Sequence, residues 1–269
     1  MLHKNVKLKP YKGTSSWRKI TIGTWGNGGD PSIYSQADYD ARPILAKIDA
    51  LKSQGSKVTP TIIAAKAIAV ALKNNPHLNG FVRMGRVYHR DGVDIFLQVA
   101  ADKKSEDLSG VVIRDCDSKS LDEIAEEFYE KAKSIRNGED KVFTRTKKAF
   151  HILPGWFAGP LLNSLSFVLY ALNIWSPLLN APRDGFGSAM VTSIGSLGLE
   201  HAFAPLVPYA RCPFVIAVGK IRDDVVARDG EAVVQPTITF CVTLDHRVID
   251  GVGAAKMAKS LKRYLADPH

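Results

Sequence analysis

A strict alternation of hydrophobic and polar side chains from Thr237 to Leu244 is the clearest pattern in the chain. This period of two predicts a β-strand with two different faces. The sequence Asp245-His246-Arg247-Val248-Ile249-Asp250-Gly251 follows the strand directly, and a helix is predicted over 251–266. The hydrophobic positions, expected on one face, are Ile238, Phe240, Val242 and Leu244; the polar positions, expected on the other, are Thr237, Thr239, Cys241 and Thr243.

Three further helices are predicted nearer the start of the chain. One is expected over 37–53, ended by Gly55. The next begins after Thr59 with Pro60 at its first position and runs to Asn74; it is apolar nearly all round, which predicts burial. The third begins with the S-x-x-E capping box of Ser120 and Glu123, and Gly138 ends it.

The remaining hydrophobic runs predict strands, which lie at 80–84, 86–90, 93–101, 109–115, 187–195 and 213–221. Strands and helices are mixed without regular alternation, so an α+β layered sandwich around one core is expected. The polar, glycine-rich start is interpreted as an N-terminal arm, residues 1–36, before a single domain over 37–269.

One stretch does not fit a plain core: the apolar segment, residues 149–182, contains no Asp, Glu, Lys or Arg. A helix over 161–176 would span about 24 Å, short of the ~30 Å of a bilayer core, so a transmembrane span is not expected. Three roles remain open: burial against another subunit, a lid or pocket for an apolar acyl group, and peripheral membrane contact supported by the cations of 131–148. The apolar face is predicted as Leu161, Leu165, Val168, Leu172 and Trp175, opposed by Asn163, Ser166, Tyr170 and Asn173.

Composition narrows the class of protein. The 269 residues are 45% hydrophobic and 23% charged, which excludes a disordered, collagenous or disulfide-scaffold chain. The net charge of +9 attracts anions, which include nucleic acid, an acidic membrane face and a phosphorylated cofactor, but no basic and aromatic motif points to nucleic acid. Three cysteines without a CxxC pair predict reduced thiols, a cytoplasmic location and no metal site, and the N-terminus has no secretory signal pattern.

His246 is the candidate for chemistry, because a histidine at a strand end is held rigidly at the rim of a sheet, where a general base can meet substrate. Asp250 lies near the predicted helix N-terminus, where the dipole favours negative charge, and Gly251 is expected to let the chain turn into the helix. A plainer alternative stays open, in which His246 is a hydrogen-bonded turn residue and Asp250 a simple helix cap.

The segment TLDHRVIDG resembles the HxxxDG signature of the catalytic domain of dihydrolipoamide acyltransferases, the cores of 2-oxo acid dehydrogenase complexes; chloramphenicol acetyltransferase shares it more loosely. The resemblance extends over about 37–146 and 187–267. It implies a chloramphenicol-acetyltransferase-like sandwich of mixed sheet and helices. The other motifs are ALKNNPHLNG at 71–80, the strand–loop–strand–helix run at 93–127, AMVTSIGSLG at 189–198 and PFVIAVG at 213–219.

This resemblance implies an acyltransferase that moves an acyl group between coenzyme A, as a substrate, and a dihydrolipoyl-type thiol or another nucleophile. His246 is then the general base. A hydroxyl on the T-x-S-x-x-G strand stabilises the oxyanion; Thr192 is the first candidate and Ser193 the second, because strand alternation lets only one of them face His246. Asp250 is expected to hold the loop by pairing with Arg18, which is alternatively a solvated surface charge.

Three departures from the family shape the expected partners. No lipoyl domain precedes the core, so a lipoyl-bearing component would be another chain. The apolar segment forms an insert, about 147–186, before the oxyanion strand. The chain ends at 265–269 without the apolar tail of the large cages, which predicts a homotrimer with active sites between subunits. The alternative function is a non-catalytic core or scaffold of a multienzyme assembly, using the insert for partner or membrane contact.

Overall fold

The computed structural model describes residues 3–10, 29–100, 108–139, 154–179 and 181–269. In chain order, the elements are β1 (His3–Lys4), β2 (Leu8–Pro10), β3 (Ser32–Asp40), α1 (Arg42–Lys52), α2 (Pro60–Asn74), β4 (Gly80–Arg83), β5 (Arg86–Arg90), β6 (Ile95–Ala100), β7 (Leu108–Ile113), α3 (Leu121–Arg136), α4 (Gly155–Ser166) with a π turn (Phe167–Ala171), β8 (Ile174–Trp175), β9 (Ala189–Ser193), β10 (Phe214–Val218), β11 (Arg222–Arg228), β12 (Glu231–Asp245) and α5 (Gly251–Ala266).

A mixed seven-stranded sheet forms the centre of the molecule. Its order is β11-β12-β10-β9-β6-β7, and β3 also pairs with β12. Strands β6, β9 and β10 are parallel, whereas β12 runs antiparallel to β10. The C-terminal end of β12 therefore lies beside the N-terminal end of β10, with Leu244 opposite Phe214.

Helix α2 is the centre of the helical layer that packs on one face of this sheet, in contact with β6, β9, β10, α3 and α5. The Thr59 side chain accepts a hydrogen bond from the Ile62 amide, and Pro60 starts the helix, as predicted. Ten of its residues are buried, which confirms the expectation drawn from its uniform apolarity. The Ser120–Glu123 capping box of α3 is also confirmed.

The helix predicted over 37–53 is wrong at its start. Residues 37–40 belong to β3, which pairs antiparallel with β12 along its whole length, from Ser32 opposite Asp245 to Asp40 opposite Thr237. The helix begins only at Arg42. Because β3 crosses the boundary expected at residue 36, residues 32–36 are part of the main sheet rather than of a separate arm.

Both faces of β12 are buried over its second half, residues 237–245. Ile238, Phe240 and Leu244 enter the main core as predicted. The polar face is covered as well, which the alternation did not indicate: Thr239 and Thr243 are fully buried, and the Thr243 hydroxyl donates to the Ala204 carbonyl oxygen at 2.7 Å. The chain at 199–206 thus covers the second face of the sheet, where Ala202 packs near Cys241.

The described part of the apolar segment belongs to a second, smaller lobe. Strands β2, β5 and β4 form a three-stranded sheet, and β1 pairs with β8. A small core of Val6, Phe81, Leu169 and Tyr170 joins these parts. The predicted faces of the helix are wrong: Ser166 and Tyr170, expected on the polar side, are buried, whereas Leu172 is exposed.

Hydrogen bonds also connect the apolar segment to the N-terminal residues of its own chain. The Asn173 side chain accepts from the Val6 amide at 2.7 Å and donates to the Val6 carbonyl oxygen at 3.0 Å. Part of the segment is therefore covered within the chain, a role outside the three that the sequence left open. Among the helices of the described ranges, none combines the length and the apolarity of a membrane span.

Candidate active site

His246 lies in a short turn between the end of β12 and the start of α5. The turn is closed by Asp245, whose carbonyl oxygen accepts from the amides of Val248 and Ile249 at 3.0 and 2.9 Å. The Asp245 carboxylate in turn accepts from the Arg247 amide at 2.9 Å and from its Nη2 at 2.7 Å. The backbone and the side chain of Asp245 thus together fix the conformation of the turn that contains His246.

The imidazole of His246 is oriented by its own turn. Its Nδ1 lies 3.0 Å from the Ile249 carbonyl oxygen. A carbonyl oxygen only accepts, so Nδ1 carries the proton in the neutral ring and the basic lone pair is on Nε2. Fixing the tautomer through a backbone carbonyl is how a histidine is prepared to accept a proton at its other nitrogen.

Asp250 is the N-cap of α5, because its carboxylate accepts a hydrogen bond from the Gly253 amide at 2.8 Å. This cap holds the start of the helix, and with it the Ile249 carbonyl that orients His246. This helix cap is one of the two roles considered for Asp250 from the sequence; the other is a pairing with Arg18. The expected partner Arg18 lies outside the described residues.

Glycines are needed at other positions than the one singled out from the sequence. At Gly251 the backbone is not left-handed, and an added Cβ would meet no described atom within 4 Å, so neither reason for a glycine applies. At Gly253 a Cβ would come within 2.8 Å of Leu78 Cδ2. At Gly195, after β9, it would come within 2.7 Å of the Gly219 carbonyl oxygen.

The Gly195→Ala substitution is therefore expected to lower the free energy of unfolding by about 1–3 kcal/mol, because the backbone at Gly219 of the same chain must move. Gly251→Ala is the matched control and is expected to change it by no more than about 1 kcal/mol, the range of helix propensity. Urea unfolding followed by circular dichroism measures both. Equal losses for the two variants would contradict the packing interpretation.

Thr192 and Ser193, the candidate oxyanion donors, are half-buried at the C-terminal end of β9. Thr192 pairs with Ala217 of β10, and Ala217 pairs with Cys241 of β12. Two strand spacings of ~4.8 Å and five residues of ~3.4 Å place the Cα atoms of Thr192 and His246 roughly 20 Å apart. Within a single chain neither hydroxyl therefore faces His246, because they lie at opposite ends of the sheet; the sites expected from the sequence lie between subunits.

A polar cluster beyond Thr192 was missed in the sequence. Arg222 Nη1 donates to the Thr239 hydroxyl oxygen at 2.8 Å, and its guanidinium also contacts Asp224 at 2.8 Å and Glu200 at 3.7 Å. The Thr239 hydroxyl donates to the Asp38 carboxylate. The cluster joins β3, β11 and β12 to Glu200, which lies in the segment after Thr192 and Ser193. No sequence signal marks it, because its members come from four distant segments.

The cysteines do not provide a nucleophile. All three are buried free thiols. Burial raises the pKa of Cys212 to about 11. This thiol lies near the His246 turn, because the carbonyl oxygen of the next residue, Pro213, accepts from the Asp245 amide at 3.0 Å. Burial likewise raises the pKa of Cys116 to about 12. Both thiols therefore stay protonated at neutral pH, and the thiolate is the nucleophilic form.

A mixed sheet with helices on one face, and a histidine turn between its long strand and its last helix, defines a chloramphenicol-acetyltransferase-like domain. The chain is similar to a solved chloramphenicol acetyltransferase with a TM-score of 0.54 at 11% identity, over 96% of this chain and 100% of that one. It is similar to the crystal structure of a probable dihydrolipoamide acetyltransferase from Listeria monocytogenes 4b F2365 with a TM-score of 0.66 at 21% identity, over 97% and 94%. These likenesses confirm the fold expected from the sequence.

The chain belongs to the family of 2-oxoacid dehydrogenases acyltransferase (catalytic domain), whose model matches residues 28–152 and 184–269. Among curated relatives, it is 27% identical to the dihydrolipoyllysine-residue acetyltransferase component of the pyruvate dehydrogenase complex of Bacillus subtilis (strain 168), over 80% of this chain and 39% of that protein. The chain spans 39–50% of the length of three such relatives. The residues between the two matched ranges include most of the apolar segment.

Proposed function

We propose that this chain is an acyltransferase that moves an acyl group between coenzyme A and the thiol of a dihydrolipoyl-type acceptor. The observation that carries the proposal is the 3.0 Å contact between His246 Nδ1 and the Ile249 carbonyl oxygen, which places the basic lone pair on Nε2. A thiol of pKa about 8.5 is mostly protonated at neutral pH, so its attack on a thioester needs such a base. Family membership supports the same chemistry.

The reaction then proceeds in two steps. His246 Nε2 takes the proton of the attacking thiol as its sulfur forms a bond to the thioester carbonyl carbon, and the carbonyl π electrons move to the oxygen. The oxyanion collapses, the bond to the first sulfur breaks, and that sulfur recovers the proton from His246. A hydroxyl donor at the oxyanion lowers the barrier, since a donor fixed at the position of developing charge is not reorganised during the reaction.

We propose Thr192 as that donor, supplied by a second copy of the chain. Thr192 lies on the sheet face opposite the helices, whereas Ser193 continues the face of Ala189 and Val191, which are in the main core. Because Thr192 and His246 of one chain are roughly 20 Å apart, only a neighbouring subunit can bring the two groups within hydrogen-bond reach of one substrate. A homotrimer with sites between subunits satisfies this requirement.

Exposed apolar side chains support subunit contacts at both ends of the sheet. Leu197 and Leu199, which follow the oxyanion candidates, are exposed at the Thr192 end. Tyr34 and Phe203, whose rings are 5.4 Å apart, are exposed at the His246 end, because Tyr34 pairs with Thr243 of β12. Exposed apolar side chains of this kind are favourable when a partner subunit covers them. The three buried free thiols favour a reducing compartment, and we propose a cytoplasmic location.

The test is release of free thiol from acyl-coenzyme A in the presence of dihydrolipoamide. Saturable release that depends on both substrates is expected. Release with the donor but equally without the acceptor would indicate hydrolysis instead of transfer. No release with acetyl-, succinyl- or longer-chain donors, for a protein that is folded by circular dichroism, would favour the scaffold alternative.

A further inference from the structure

The smaller lobe is free of acidic residues. Its described parts, residues 3–10, 80–90 and 154–179, contain none of the 27 Asp and Glu of the chain. Two of its six Lys and Arg residues are paired with acids just outside it, Lys9 with Asp91 and Arg90 with Asp184. The other four, which leave the lobe with a positive surface, are Lys4, Lys7, Arg83 and Arg86.

Large apolar side chains are exposed beside these cations. Met84 is 65% exposed at the tip of the β4–β5 hairpin, between Arg83 and Arg86. Arg83 Nε donates to the Ala171 carbonyl oxygen at 2.8 Å, which places that hairpin against the end of the π turn. At the two ends of the π turn Phe167 is 53% and Leu172 40% exposed, and Leu178, six residues further along the chain, is 91% exposed.

We infer that this lobe binds the surface of an anionic lipid bilayer. Cations attract the acidic headgroups, and the neighbouring apolar side chains can enter the interface between headgroups and acyl chains. The pairing of β1 with β8 strengthens the pattern, because it sets Lys4 opposite Ile174. The described strands and helix of the lobe carry no acid, and the exposed Asp91 beside β5 is paired with Lys9, so little negative charge opposes an anionic membrane.

The apolar exposure distinguishes a bilayer from other anionic partners. An acidic protein or a nucleic acid would be attracted by Arg83 and Arg86, but gains little from Leu178, which is almost completely exposed. Burial of a leucine side chain in an apolar phase is favourable by itself. Binding is therefore peripheral and reversible, and it goes beyond the proposed acyl transfer, which does not require it.

Cosedimentation of the full chain with large unilamellar vesicles tests the inference. The anionic vesicles contain phosphatidylcholine with about 30% phosphatidylserine, so that about one lipid in three is charged. They are expected to bind the protein, and added salt is expected to weaken the binding. Pure phosphatidylcholine vesicles are expected to leave it in the supernatant. Equal binding to both, or to neither, overturns the inference.

Matched variants separate the lobe from the overall charge of the protein. Arg86→Glu is expected to weaken the partition coefficient roughly tenfold, whereas Arg263→Glu, the same change on exposed α5, leaves it within about twofold. Leu178→Ser is also expected to weaken it roughly tenfold, against no change for Val225→Ser on exposed β11. Thiol release without vesicles is expected to be unchanged in all four.

Three results would contradict the lipid surface. Equal losses for Arg86→Glu and Arg263→Glu would mean that only net charge matters. No effect of Leu178→Ser would leave a purely electrostatic surface, which fits an acidic protein or nucleic acid. A change of oligomeric mass in Leu178→Ser or Arg86→Glu, measured by mass photometry, would identify the surface as a contact between copies.

Discussion

Replacing His246 by alanine is expected to lower the rate of acyl transfer by about 10²–10⁴-fold, the contribution of a well-placed general acid–base group. The substitution removes the nitrogen that accepts the proton of the attacking thiol. The backbone bonds that form the turn do not involve the imidazole, since Asp245 makes them. We therefore expect the fold to be retained, and thiol release from acyl-coenzyme A measures the loss.

His269 provides a matched control for this variant. Its Nδ1 also lies near a backbone carbonyl oxygen, that of Asp267 at 3.1 Å, but it is exposed at the end of the chain. His269→Ala is expected to keep full activity. Full activity of His246→Ala would rule out the proposed base, and an equal loss in both variants would point to a general effect of removing an imidazole.

The elements that could be predicted from the sequence are those with local signals. Thr59 with Pro60, and Ser120 with Glu123, begin their helices through contacts within the first turn. Asp250 acts in the same way at the start of α5. The turn that carries His246 is bounded by the end of one predicted strand and the start of one predicted helix, so its position followed from neighbouring residues alone.

The errors arose where structure depends on distant residues or on an irregular turn. The sequence of β3, SIYSQADYD, has only an interrupted alternation: Ile33, Ala37 and Tyr39 pack on the core, but Ser35 lies between them and Tyr34 is exposed. The strand is completed by its pairing with β12 about 200 residues later. The helical faces of the apolar segment differ from the expected ones beyond Ser166 because the π turn over Phe167–Ala171 adds residues per turn and shifts the face. Tyr170 is then buried with its hydroxyl 3.4 Å from Asp184.

The relation between the catalytic candidates also required the sheet register. Strand alternation shows that Thr192 and Ser193 lie on opposite faces of β9. It does not show at which end of the sheet they lie relative to His246. Because β10 is parallel to β9 and antiparallel to β12, the two candidates and His246 are separated along the strands. This separation fits active sites that lie between subunits, as predicted from the sequence.

Replacing Thr192 by valine is expected to lower kcat by about 10²–10³-fold, the cost of removing one oxyanion donor. Valine keeps the branched shape of threonine, so packing on β9 is retained while the hydroxyl is lost. KM is expected to change little, because the donor acts mainly on the charge that develops in the transition state. Ser193→Ala is the control within the strand; a larger loss in that variant would make Ser193 the donor.

Mixing the two inactive variants tests whether the site lies between subunits. If His246→Ala and Thr192→Val chains are unfolded together and refolded as mixed trimers, each site combines the histidine of one chain with the hydroxyl of its neighbour. Random assembly then restores about one quarter of the wild-type activity, since one site in about four receives both intact residues. A site within one chain would give no recovery in any mixture, because every chain lacks one of the two groups.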